Sequence, residues 1–273
     1  MLKLIKMDMH RLFTSKTTAI GAFASVIMSI VYVLGSLGII ALSKLAFKDD
    51  PEMAIGLGEF FSQVSWMNGV NFATIALEGT MALSLFVGCA VSASFIGSEQ
   101  ACGYTKNYAG LLSDKGYTVI SKFVVTSVAQ IMVLLIYTVV SGAFGRVVLG
   151  QYITGYDWLG LLGALGLRIL LHLAINAIIV FLCTLTKSHS IAMVAASIFG
   201  LGITRFAYLS VSMALGVAKI EIDISKYLPD GINSQLNIYT AGNLAVKAIV
   251  VSVICIAVFI AANYVVVRKR DVR

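Results

Sequence analysis

The sequence predicts an all-α polytopic membrane protein. It has six transmembrane helices, an N-terminal amphipathic helix on the membrane surface, and both termini in the cytoplasm. Three observations carry this. Of 273 residues, 59% are hydrophobic and only 12% are charged, roughly half the charged share of a soluble domain. The surplus apolar surface must face lipid. No charge falls between Lys16 and Lys44, Glu78 and Glu99, or Lys122 and Arg146. Each gap is long enough to cross a hydrocarbon core of about 30 Å as a helix. The runs are also continuous, without the alternation of barrel strands.

Residues 1–16 come first. Leu2, Ile5, Met9, Leu12 and Phe13 fall on one helical face, and Lys3, Lys6, His10 and Arg11 fall largely elsewhere. This pattern suits a helix lying on the inner leaflet. A basic flank that merely anchors the first span is the simpler alternative. The expected spans are 17–43, 79–97, 123–145, 158–186, 190–217 and 244–267. All lie in one membrane domain, 1–273.

The segments between spans differ in character. Residues 44–78 are outside and acidic, and "GEFFSQVSW" within them reads as a short interfacial helix because Phe60, Phe61 and Trp66 suit the headgroup region. Residues 146–157 form a short outside loop. "TKSHS" joins spans four and five so tightly that they should form an antiparallel hairpin. Residues 218–243 include "YLPDGINSQLNIYTAG", uncharged after Asp230 and only half apolar. A re-entrant or interfacial turn suits them, provided protein buries the backbone.

Orientation follows from the basic residues. With the N-terminus inside, twelve Lys and Arg lie at the inner ends of spans and five at the outer ends. The net charge of +7 is therefore a topology signal, and nucleic acid is not an expected partner. Cys89, Cys102, Cys183 and Cys255 are scattered, with no CxxC, so neither a disulfide frame nor a metal site is expected.

Chemistry is sparse. The chain has no GxxxxGK[ST] phosphate loop, no HExxH and no GxSxG, so it is not expected to be an enzyme by itself. Arg168 and His172 lie one turn apart in span four, and Arg205 lies deep in span five. A charge at that depth costs on the order of 3 kcal/mol or more unless it finds a partner. Either these residues line a polar path for substrate, or they cap carbonyls and lipid phosphates.

The stretch 98–122, "SEQACGYTKNYAGLLSDKGYTVISK", is too long for a turn and too short for a domain. Gly103 can end span two. Tyr104–Leu112 can then form a short inside helix with Tyr104, Tyr108, Leu111 and Leu112 on one side. A short helix with an exposed face suits docking; a solvated loop with a basic flank is the alternative.

This stretch resembles the inside loop of ABC-2 type permeases, the membrane subunits of type V ABC exporters. Glu99 and Gly103 match the family's Glu and the Gly four residues on, and Lys106 matches the basic residue that follows. Lys115 and Lys122 match its Arg-x6-Lys pair with Lys in the first place, and Tyr104 replaces the usual Thr. The end of span six, Lys269-Arg270-Asp271, is similar to the family's closing basic-Arg-Asp group. The motifs cover about 99–122 and the C-terminus, while the six-span architecture covers the chain. The resemblance implies that 98–122 is a coupling segment docking on a separate ATPase through Glu99, Gly103, Tyr104, Lys106, Tyr108, Leu111, Lys115 and Lys122. It implies two ATPase copies carrying ATP and Mg, no cofactor on this chain, and a second permease subunit, identical or not. The chain is also similar to the permeases of Gram-positive peptide exporters and bacteriocin self-immunity systems. That implies a bacterial cell-membrane location and an amphipathic or antimicrobial peptide as cargo. A drug or lipid cargo is the alternative within the family. A secondary transporter or channel is the alternative outside it, and would require broken helices near mid-membrane.

Overall fold

The computed structural model describes residues 2–49, 70–78, 82–103, 116–186, 188–204, 207–208, 210–212, 227–237, 239–240 and 242–269. These residues form a helical bundle. In chain order it comprises α1 (Leu2–Thr14), α2 (Lys16–Asp49), α3 (Phe72–Glu78), α4 (Leu83–Ala101), α5 (Tyr117–Val148), α6 (Trp158–Thr186), α7 (His189–Gly200), α8 (Pro229–Gln235) and α9 (Gly242–Lys269). Among the described residues, four stretches are long and apolar enough to cross a membrane: Lys16–Gly38 of α2, and the whole of α5, α6 and α9. An all-α membrane protein is therefore what this chain builds. One minimal exception is a parallel ladder between β1 (Val70–Asn71) and β2 (Ile153–Gly155). It joins two segments that the sequence places on the same side.

Helix packing here relies on small side chains and backbone acceptors, because lipid gives apolar surfaces no reason to leave it. On α2 the buried face runs Ser25, Ser29, Val33, Ser36. Ser29 donates to Ser25 O at 2.6 Å and to Tyr137 O of α5 at 3.3 Å. Gly200, the last residue of α7, lies directly on α4: a Cβ there would stand 2.3 Å from Phe86 Cα.

The helices depart from the expected spans in three places, each with a local cause. The second span begins late, at Leu83, and is preceded by a separate helix, α3, in the stretch expected to be an outside segment. Asn71 starts α3 by accepting from Ala73 N–H at 3.0 Å. The third span starts early, so Lys122 lies inside α5 rather than before it. The fifth span is not one helix over 190–217. Gly202, at φ 70°, ends α7 in a Schellman turn: Ile203 N donates to Ile198 O at 3.1 Å and Gly202 N to Phe199 O at 3.3 Å. Helical residues resume at Thr204. α7 meets α6 as the tight connection requires, but it packs chiefly on α4.

The half-apolar stretch before span six contains α8, with Pro229 at its first position. Pro229 to Asn233 are all buried. The proviso that protein must cover this backbone is met by α6 and α9. "GEFFSQVSW" lies outside the described residues.

Candidate functional site: a buried charge cluster at the root of the 98–122 segment

The N-terminal helix does not simply lie with an apolar face on lipid. Leu4, Asp8 and Leu12, spaced four apart, are its buried residues, while Leu2 is 81% and Phe13 56% exposed. Ile5 and Met9 pack against the main core. The helix thus presents one face to the bundle and leaves the apolar side chains of Leu2 and Phe13 exposed.

The buried face carries chemistry. Asp8 accepts a hydrogen bond from Ser121 Oγ of α5 at 2.6 Å. Its carboxyl is raised above its ordinary value of 3.8, chiefly because burial disfavours the charge; Ser121 and the nearby Arg11 and Lys122 oppose that shift. Arg11 reaches α4, donating to Glu99 Oε2 at 2.9 Å and to Phe95 O at 3.3 Å, with its guanidinium 4.1 Å from the Phe95 ring centroid. Glu99 is 2% exposed and shares its second oxygen with Lys122 Nζ at 3.0 Å. One carboxylate therefore ties three helices together.

This cluster sits at both feet of the candidate coupling segment. α4 ends in Cys102 and Gly103; the glycine holds φ 64°, as a left-handed stop requires. α5 restarts at Tyr117. Glu99 and Lys122, read from the sequence as docking residues, are joined to each other and turned into the protein. Gln100 adds a fourth helix by donating to Cys183 O of α6 at 2.9 Å. Tyr104, Lys106, Tyr108, Leu111 and Lys115 lie outside the described residues, as do Arg205, Arg270 and Asp271.

Arg168 and His172 are both 1% exposed on α6. Arg168 donates to Leu77 O of α3 and to Leu236 O, the C-cap of α8, the latter at 2.9 Å. Asn176, one turn beyond His172, donates to Thr126 Oγ1 at 2.9 Å and Ser127 Oγ at 3.3 Å on α5. A polar stripe thus runs along the buried face of α6. Among the described residues no group of His, Cys, Asp or Glu could hold a metal ion.

Asp8, Arg11, Ser121 and Asn176 are functional candidates that pattern reading passed over. Asp8 did leave a signal: it is the single acidic residue of a basic amphipathic helix, and it lies in register with Leu4 and Leu12. Asp230 left none. It is buried in α8 and accepts from Tyr208 at 2.7 Å and from Thr204. Comparison with protein-family models and with curated proteins finds no match to this chain.

Proposed function

We propose that this chain is the transmembrane permease subunit of an ATP-driven exporter of the ABC-2 type, with six spans, both termini inside and a bacterial cell-membrane location. ATP and Mg are handled by two copies of a partner ATPase, and a second permease subunit completes the assembly. The cargo is an amphipathic peptide. The observation that carries this reading is Glu99 bound at once to Arg11 and Lys122. A push on residues 104–115 from an ATPase would reach α1, α4 and α5 together, because their roots share a buried carboxylate. The sequence resemblance supplies the ATPase, and the missing phosphate loop in this chain makes such a partner necessary.

Co-purification with the ABC ATPase encoded in the same operon tests this. Wild type should retain the ATPase through detergent washes, and Tyr108→Asp should lose at least about nine-tenths of it, a shift of roughly 1.4 kcal/mol. Equal recovery with both, or none with wild type, rejects the coupling role.

A second reading, a secondary transporter or channel, is favoured by one observation. Gly202 interrupts the expected fifth span, and broken helices are a mark of ion-coupled carriers. Cargo flux driven by an ion gradient without ATP would select it.

A further inference from the structure

We propose that α1 is a clamp on anionic lipid: one face is held by the bundle, and on the other side Lys3 and Lys6 take the phosphate of an anionic headgroup while Leu2 and Phe13 enter the acyl region. The inference stands whichever partner drives transport.

The bundle fixes where α1 sits. Asp8 is joined to Ser121, the fifth residue of α5, and Arg11 to Glu99, in the last turn of α4. α2 begins directly after α1, and its stretch Lys16–Gly38 is long and apolar enough to cross a membrane. Ser15 makes the junction, its Oγ accepting from Thr18 N–H at 3.2 Å as a fresh helix cap. α1 therefore lies at the end of the bundle where α2 and α5 start and α4 stops. The 32 residues of α5 span about 48 Å at 1.5 Å per residue, against a hydrocarbon core of about 30 Å. The ends of such a helix stand among the headgroups, and α1 stands with them.

The bundle also fixes the roll of α1. Each residue turns a helix by about 100°. Leu4, Asp8 and Leu12 are buried, and Ile5 and Met9 beside them are half-buried. Next around the circumference come Leu2 and Phe13, both exposed, and then Lys6, His10 and Lys3, all exposed. The single acid of residues 2–16, Asp8, is buried, and Arg11 is turned to Glu99. The charges that α1 shows outward are therefore all positive. From the bundle outward the order is apolar, then basic, which is the order of acyl chain and phosphate in a bilayer. A soluble anion would match the lysines but leave Leu2 and Phe13 in water. An anionic bilayer takes both bands. Each lysine beside such a surface strengthens binding roughly fivefold.

Amide hydrogen exchange of the full-length protein in lipid nanodiscs tests this, with phosphatidylcholine alone or mixed with phosphatidylglycerol. Any opening that lifts α1 must give up its lipid contacts, so binding slows exchange by the same factor. In wild type, residues 2–14 should exchange at least about tenfold more slowly when phosphatidylglycerol is present. Raising salt from about 0.1 M to about 1 M should remove most of that difference, because the screening length falls from about 10 Å to about 3 Å. Lys3→Gln with Lys6→Gln should exchange alike in both discs, while α6 keeps its wild-type protection. Leu2→Ser with Phe13→Ser should speed exchange of α1 in both. Equal exchange of wild type in the two discs overturns the clamp. So does a double lysine variant that still responds, since the lipid would then act elsewhere. Protection of α1 by inorganic phosphate in phosphatidylcholine discs overturns it too, because a free anion would then suffice. Unchanged exchange on losing Leu2 and Phe13 does the same, because the apolar band would then lie outside the lipid.

Discussion

The charge cluster around Glu99 and the node around Arg168 solve the same problem by different means. Each buries a cation, Lys122 in the first and Arg168 in the second, while Arg11 stays a quarter exposed. Near the helix ends, Arg11 and Lys122 are neutralised by a real carboxylate. About 15 Å along α6, at the usual rise per residue, the backbone carbonyls of Leu77 and Leu236 are among the partners of Arg168. Carbonyls at helix ends are already present and must be satisfied in any case. At the cluster the bonds join opposite charges, and at the node two of them join a guanidinium fork to carbonyls, so charge is tested at the first and donor geometry at the second.

That contrast can be broken most forcefully at Glu99. Glu99→Arg puts a third cation beside Arg11 and Lys122, and the expected loss of stability is about 3–5 kcal/mol, the cost of breaking a buried pair. Thermal unfolding in detergent measures it. The swap Glu99→Lys with Lys122→Glu should recover part of that loss, which a purely steric role for Glu99 would not allow.

The node should respond differently. Arg168→Lys keeps the charge but loses the fork, so it should cost roughly 1–3 kcal/mol, as expected when a buried acceptor goes unmet. If stability is unchanged, charge alone suffices at depth and the contrast fails. Gly200→Leu tests the helix break between the two regions. Its side chain would collide with the Phe86 backbone, and about 1–3 kcal/mol should be lost to overpacking. Circular dichroism of the folded fraction against temperature reports it.

The smallest effect is expected at Asp8. Its carboxyl is raised by burial, so the native state binds its proton more tightly than the unfolded chain does. The native state therefore loses stability as pH rises from 3.8 through the raised value. Asp8→Asn retains an acceptor for Ser121 and should change neutral-pH stability by less than about 1 kcal/mol. It should also flatten that slope, as pH-dependent melting would show. A large loss at neutral pH would mean that the Asp8 charge belongs to the ion network.

The membrane character was determined by sequence alone. Long uncharged runs can fold only as helices in lipid, since every backbone group must be satisfied within its own segment. Gly103 as the stop of α4 was legible for a similar reason, because a left-handed stop favours one residue type; the helix that starts at Pro229 was not, since its stretch read as a turn. The roles of Glu99 and Lys122 were not. Spacing placed both in one segment, but only packing showed that Arg11, 88 residues earlier, joins them. The break at Gly202 was also hidden, because a glycine inside an apolar run reads equally well as part of a span. Two acceptors of Arg168 were beyond any local pattern: carbonyls, one 91 residues before it and one 68 after, carry no side-chain signature. Sequence determines which groups must be satisfied in lipid; only the tertiary arrangement decides by whom, because backbone acceptors are everywhere in the chain and distance selects among them.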